Sequence, residues 1–199
     1  MGLSVSALLL AAGSSSRMGQ TKQLLLLAEK PVIRHCIDAL QAARIAEIVV
    51  VVNEESNDIA DTLRGLHLII AVNKVRGSDM AESVKVGLTT LSHSASGVLI
   101  CLSDHPLVRP ETIEALIKEH MNLPDKIIIP CYNGRRGHPS LFPKSVLQGQ
   151  HSGVTLRDII RQESHRVVLI DTGDEGVILD MDTPEEFHDI IDKLRKKHA

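Results

Sequence analysis

The sequence predicts an α/β fold, a largely parallel sheet with helices covering both faces. Three observations lead there. Short β-branched or Leu-rich runs alternate with amphipathic segments from end to end, the pattern left by successive βα units. Most of these runs are continuously apolar, as strands buried on both faces are, and do not alternate as strands with a wet face do. At 199 residues the chain fits one domain of ordinary size, long enough to bury a core without disulfides or structural metal.

Strands are expected at Val5 to Leu10, Ile48 to Val52, Leu68 to Val72, Val98 to Leu102, Ile127 to Pro130 and Val167 to Asp171. Helices fit between them. Ile33, Cys36, Ile37 and Leu40 form one apolar stripe, Met80, Val84, Leu88 and Leu91 a second, and Ile113, Leu116, Ile117 and His120 a third. The last helix has the clearest start, with Thr183 as N-cap, Pro184 at the first helical position and Glu186 closing a capping box. Phe187, Ile190, Ile191 and Leu194 then form its apolar face. The stretch from Tyr132 to Gly153 carries six glycines and prolines and reads as a substrate loop and hairpin. No repeat, low-complexity tract or linker divides the chain.

Composition narrows the partners. Twenty-two Lys and Arg against 25 Asp and Glu, with 10 His left neutral, give a net charge of −3, and aromatic residues make up 2%. That offers neither a basic field for a nucleic-acid backbone nor stacking platforms for bases, so nucleic acid is not an expected partner. Cys36, Cys101 and Cys131 are odd in number and far apart, without the spacing of a zinc or redox pair, and read as thiols of a reducing compartment, the cytoplasm. The apolar run from Leu8 to Ala12 has no basic region before it, and nothing later approaches membrane-spanning length, so no membrane association is expected. Met1-Gly2 with Ser6 matches an acylation pattern by chance, since Val5 to Leu10 reads as the first core strand.

Chemistry concentrates first in Leu10-Ala11-Ala12-Gly13-Ser14-Ser15-Ser16-Arg17-Met18-Gly19-Gln20-Thr21-Lys22, where an apolar strand runs into a small-residue loop ending in two separated cations. Small residues let backbone N–H groups approach anionic oxygens, and Arg17 and Lys22 supply neutralising charge, so the loop reads as a grip for a nucleoside triphosphate. A small-residue turn after a strand is often only a turn; the two cations distinguish this one. The spacing is not that of a P-loop, because five residues separate Gly13 from Gly19 and Gln20-Thr21 intervene before Lys22. Nor is it the three-glycine dinucleotide fingerprint.

Asp104 follows the strand Val98 to Leu102, at the carboxyl end where parallel strands collect ligands. Asp182, with Asp180 two residues earlier, is a second candidate, and an extended segment would turn both to one side. Mg²⁺ takes few protein oxygens and leaves room for phosphates, which suits such carboxylates facing the loop. A strand-terminal Asp can equally be a helix cap. Arg135, Arg136 and His138 flank a Gly-rich turn that either receives an anionic acceptor or is a solvated basic loop, and Arg157 and Asp158 stand nearby as possible support.

The Leu10 to Gly19 loop with Lys22, Ser103-Asp104-His105-Pro106-Leu107-Val108, Gly137-His138-Pro139 and Asp180-Met181-Asp182-Thr183-Pro184-Glu185-Glu186 follow the order found in the molybdenum cofactor nucleotidyltransferases of the MobA-like superfamily. The chain resembles that family over most of its length. Ala11-Ala12-Gly13, Pro106-Leu107-Val108 and Gly137-His138-Pro139 are most similar to the molybdenum cofactor cytidylyltransferase (MocA) branch. His105 stands where that branch commonly has Gln, and Glu82 departs from its serine-rich stretch.

The resemblance implies a three-layer, Rossmann-like nucleotidyltransferase fold with a mostly parallel mixed sheet, in a single domain over residues 1–199. The N-terminal half would bind nucleotide and the C-terminal half the acceptor. It implies CTP, or another NTP, held by Leu10, Ala11, Ala12, Gly13, Ser14, Ser15, Arg17, Lys22, Gly77, Ser83 and Asp104. Arg17 and Lys22 would be catalytic, and Asp104 and Asp182 would hold Mg²⁺. Arg136, Gly137, His138 and Pro139 would meet the acceptor, molybdopterin or molybdenum cofactor, which receives CMP as pyrophosphate leaves. Transient contact with a receiving molybdoenzyme or its chaperone is implied as well. A sugar or polyol phosphate acceptor, or a non-catalytic nucleotide-binding subunit, are the alternatives.

Overall fold

The computed structural model describes residues 4–13, 20–75, 77, 79–149 and 153–197. In chain order its elements are β1 (Val5–Leu10), β2 (Leu26–Leu27), β3 (Lys30–Pro31), α1 (Val32–Ala42), β4 (Ile48–Asn53), α2 (Asn57–Thr62), β5 (Ile69–Asn73), α3 (Met80–Thr90), β6 (Gly97–Leu102) and α4 (Pro110–Asn122). They continue with β7 (Ile127–Tyr132), β8 (Arg135–Arg136), β9 (Ser140–Pro143), α5 (Lys144–Gln148), α6 (Leu156–Gln162), β10 (Val167–Asp171) and α7 (Pro184–Lys197). Single 3₁₀ turns at Lys22–Leu24, Ser164–Arg166 and Glu175–Ile178 join them.

Among the described residues the main sheet has eight strands, in the order β10-β7-β9-β6-β1-β4-β5 with β8 paired to β7. The pairs β1–β4, β1–β6, β4–β5 and β7–β10 are parallel, and β9 runs antiparallel to both β6 and β7. The expected mostly parallel mixed sheet is therefore present. Its alternating side chains build two cores. Ala7, Leu9, Val50 and Leu99 pack with Ile33, Ile37 and Leu40 of α1 and Ile113 and Leu116 of α4. Leu8, Leu10, Val49, Val51 and Ile100 pack on the other face with Val84 of α3, Val146 and Leu147 of α5 and Ile159 of α6. Each fully buried Leu or Ile contributes about 1.5–3 kcal/mol, so three layers form because the central strands β1, β4 and β6 have no face to leave wet.

The stretch from Tyr132 to Gly153 departs from the expected loop and hairpin. It supplies the β7–β8 hairpin, but also β9 and α5, and β9 inserts between β6 and β7 with Leu99 opposite Leu141 and Val98 opposite Phe142. The three residues between Pro139 and Pro143 look like turn chemistry, yet buried Leu141 and Phe142 fill one core each. Met80 also differs from its expected place in a buried stripe, being nearly half exposed at the start of α3. Among the described residues no helix is long and apolar enough to cross a membrane.

From β1 the chain moves outward through β4 and β5, then returns to add β6 on the other side of β1. The point where β1 and β6 lie side by side is thus a topological switch, and the loops leaving their carboxyl ends flank a crevice. A third cluster closes one side of it: Met181, Phe187, Ile190 and Ile191 around α7 pack on Leu27, Val32 and Leu107. This packing brings the start of α7 to the carboxyl edge of the sheet.

Candidate functional site

A cavity of about 340 Å³ opens at this edge, with walls that include Leu10, Ala12, Gly13, Lys22, Asp79, Ser83 and Asp104. Its floor is the end of β1 and β6, tied together where Ser103 N–H donates to the Leu10 carbonyl at 3.2 Å. Ala11 lies behind the wall: its N–H donates to Val51 O at 2.8 Å, and its carbonyl accepts from Gln23 Nε2 at 3.5 Å. Gln23 is buried and was not singled out in the sequence. Ser14, Ser15 and Arg17 lie outside the described residues.

Lys22, Asp104 and Asp182 converge from three elements. Lys22 Nζ donates to Asp104 Oδ2 at 2.6 Å and to Asp182 Oδ1 at 2.8 Å. The side chains are 10%, 16% and 30% exposed, so the pairing is shielded from water on most sides. Burial draws the Lys22 pKa down, but the adjoining carboxylates, Asp104 first, more than offset this and leave the ammonium more basic than usual. Lys22 is thus a fixed positive charge at neutral pH.

The placement of Asp182 is built by α7. Glu186 Oε2 accepts the Asp182 and Thr183 N–H groups at 2.8 and 2.9 Å, while Glu186 N–H donates to Thr183 Oγ1 at 3.2 Å. This is the expected capping box, extended by one residue so that it also grips the backbone of Asp182. Asp180 does not share the arrangement. It is exposed, and Met181 between them is fully buried in the α7 cluster. We expect Glu186→Ala to lower stability by about 1 kcal/mol and to reduce turnover several-fold through a loosened Asp182. Thermal unfolding and steady-state kinetics on the same preparation would check both effects.

The two carboxylates fit a hard divalent cation. They already place two oxygens around one cationic atom, and Asp104 Oδ1 is buried with no hydrogen-bond partner. Among the described residues no group of three or more His, Cys, Asp or Glu could hold a metal. The donor set suits Mg²⁺ bound by one or two carboxylates and completed by substrate phosphates and water.

At the other end of the cavity, Ser83 is buried and accepts from Asn73 Nδ2 at 3.1 Å, and Asn73 Oδ1 in turn accepts Val75 N–H at 3.0 Å. Asp79 caps α3 by accepting Glu82 N–H at 3.0 Å, a cap readable from the three-residue spacing and overlooked in the sequence. Gly77 stands outside the wall, exposed, with φ of +66°. Glu82 lines a separate groove between α3, α5 and α6.

The Gly137-His138-Pro139 turn is held from below. Gly137 N–H donates to Pro130 O and His138 N–H to Val177 O, both at 2.8 Å. A Cβ at Gly137 would stand 2.3 Å from Val177 O, so only glycine permits this approach. The His138 ring lies 5.2 Å, centroid to centroid, from that of His105, which follows Asp104. Burial, then repulsion from His105, pushes His138 down to about 4 despite nearby Asp104, so its imidazole is neutral at pH 7. Pro139 is buried and Arg136 is exposed on β8; of the expected acceptor residues, His138 is the one brought toward Asp104. Beneath them the Cys36 thiol is pushed up to about 12 by burial and by Asp104, which removes it as a nucleophile.

A mixed sheet with a phosphate-sized crevice at its switch point, a fixed lysine and two converging carboxylates define an α/β nucleotide-binding protein. The chain belongs to the MobA-like NTP transferase domain family, which it matches over residues 7–167, and is a nucleotidyltransferase of that family. It is 26% identical over 199 residues to nicotine blue oxidoreductase of Paenarthrobacter nicotinovorans, covering 94% of this chain and 96% of that protein. It is 33% identical over 128 residues to the bifunctional enzyme IspD/IspF of Novosphingobium aromaticivorans, covering 63% of this chain and 32% of the relative, whose full length it therefore does not span. Among solved structures, a nucleotidyl transferase from Methanothermobacter thermautotroptrophicus superposes with a TM-score of 0.82 at 20% identity, covering 98% and 100% of the two chains. A Mycobacterium tuberculosis protein solved in complex with manganese gives 0.75 at 23%, covering 96% and 100%. These superpositions establish the Rossmann-like nucleotidyltransferase fold.

Proposed function

We propose that this chain transfers the CMP moiety of CTP to the terminal phosphate of molybdopterin or molybdenum cofactor, in the cytoplasm and within one domain. The observation that carries the reading is the convergence of Lys22, Asp104 and Asp182 at the mouth of the β1–β6 crevice. The Ala11-Ala12-Gly13 and Gly137-His138-Pro139 motifs favour cytosine as base and molybdopterin as acceptor by resemblance.

An oxygen of the acceptor phosphate forms a bond to the α-phosphorus of CTP, the bond from that phosphorus to the bridging α–β oxygen breaks, and pyrophosphate leaves. The acceptor is already anionic at neutral pH, so no protein base is required, and catalysis rests on positioning and charge stabilisation. Lys22 stabilises charge developing on the α-phosphate, Arg17 holds the β- and γ-phosphates, and the N–H groups of the loop from Ala12 onward cradle the rest. Asn73 and Ser83 shape the base end. His138, neutral beside His105, lines the acceptor side without adding charge repulsion or attraction of its own. When bound to Asp104 and Asp182, Mg²⁺ would screen the repulsion between nucleotide and acceptor.

A panel of CTP, GTP, ATP and UTP with Mg²⁺, each offered molybdopterin, sugar phosphates and polyol phosphates, tests this by pyrophosphate release. We expect release with CTP and molybdopterin. Release with a sugar or polyol phosphate alone would transfer the chain to another branch of nucleotidyl transfer. Similarity to nicotine blue oxidoreductase over nearly the whole chain favours a second reading, oxidation or reduction of a small aromatic substrate. Redox turnover of nicotine blue, without pyrophosphate release from any NTP, would establish it instead.

A further inference from the structure

Lys22 faces two demands that exclude one another. Its Nζ sits 2.6 Å from Asp104 Oδ2 and 2.8 Å from Asp182 Oδ1, on the same two carboxylates that would hold a divalent ion. Mg²⁺ requires carboxylate oxygens at about 2.0–2.1 Å and a near-octahedral shell, which an ammonium bonded to the same oxygens obstructs. Two cations crowded on one carboxylate pair also repel strongly where water is largely excluded. Conversely, two shielded carboxylates side by side repel each other, and the ammonium bonded to both offsets that repulsion. The lysine has somewhere else to go: the cavity wall it shares with Ala12 and Gly13 is where a triphosphate would lie.

Resting on the nucleotide-transfer reading above, we infer that Lys22 holds the place of the divalent ion and yields Asp104 and Asp182 to it only when a triphosphate draws the ammonium away. Metal affinity is then low without nucleotide, and nucleotide and metal strengthen each other's binding by the same factor, as linkage requires. The lysine thereby orders the site, keeping its carboxylates preorganised and neutralised between turnovers.

The test reads metal binding without catalysis. Mn²⁺ is titrated into the nucleotide-free full chain and the free ion is followed by electron paramagnetic resonance. We expect Lys22→Met to bind Mn²⁺ on the order of tenfold or more tightly than the native chain. Lys22→Arg, which keeps a cation, should stay weak, and Asp182→Asn added to Lys22→Met should abolish the gain. Equal Mn²⁺ affinity in the native chain and Lys22→Met overturns the inference. A second measurement needs no variant: in ¹³Cε-lysine-labelled native protein, CTP with a chelator should move the Lys22 resonance, and Mg²⁺ alone should not. Displacement by Mg²⁺ alone overturns the inference and leaves the nucleotide reading standing, whereas absence of any CTP binding overturns both.

Discussion

Lys22→Ala is expected to lose nucleotidyl transfer by roughly a hundred- to a thousandfold, the usual consequence of removing one preorganised charge from a transition state. Nucleotide affinity should fall much less. On the proposed reading, other contacts of the small-residue loop would bind substrate and transition state alike, whereas the Lys22 ammonium would matter most when charge accumulates on the α-phosphate. Separate determinations of kcat by pyrophosphate release and of CTP affinity by titration calorimetry would divide the two effects. Lys22→Arg should recover only part of the rate, because a planar guanidinium cannot reproduce a compact ammonium lying 2.6 and 2.8 Å from two carboxylates. The alanine variant also leaves Asp104 and Asp182 without their shared cation, so a folded fraction from thermal unfolding must normalise the rates. Near-native turnover in fully folded Lys22→Ala would remove Lys22 from the chemistry and with it the main support for the proposed function.

Each residue of this cluster is legible in the sequence by itself, and their relation is not. Lys22 is read from its place after a small-residue loop, Asp104 from a strand end, and Asp182 from the Thr183-Pro184-Glu185-Glu186 start of α7. Their ion pairing joins positions 82 and 160 apart, which no local pattern encodes. The choice between Asp180 and Asp182 depends on buried Met181 and on Glu186 gripping the Asp182 backbone, both tertiary facts. Likewise β1 and β10 are legible because continuous apolar runs match their observed bounds. By contrast β9 is hidden, since its four residues, ending in Pro143 and following Pro139, gain their strand character only by pairing with β6 and β7. The α6 helix carried a local sign that was passed over. Thr155 accepts Asp158 N–H and Asp158 accepts Thr155 N–H, a capping box written in the sequence itself. That box gives Asp158 a structural use at the start of α6.

The largest effect on stability is expected at Asp174, a residue with no part in the reaction. Its carboxylate is 1% exposed, and it accepts Arg109 N–H at 2.9 Å, Thr112 O–H at 2.7 Å and Gly176 N–H at 3.0 Å, with Arg109 Nε 3.3 Å away. One side chain therefore fastens the N-terminus of α4 to the Glu175–Ile178 turn. The fastening is close: a Cβ on Gly176 would stand 2.2 Å from Leu107 O, and Val177 O receives the His138 N–H from the opposite side. Asp174→Ala leaves two buried donors, from Thr112 and Gly176, and the part-buried Arg109 N–H without an acceptor, a change that costs about 3–5 kcal/mol. For a chain of this size that lowers Tm by roughly 6–20 °C, measurable by calorimetry. Asp174→Asn should recover part of the loss, because its single carbonyl oxygen can serve some of the donors while its amide opposes the others. Below the lowered Tm, a specific functional pattern should remain. The Asp174 knot reaches the proposed acceptor side through Val177 and His138, but not the Lys22 side, so CTP affinity should persist while the KM for the acceptor rises. Equal damage to both would mean that the turn supports the whole crevice; damage to neither would detach His138 from acceptor binding.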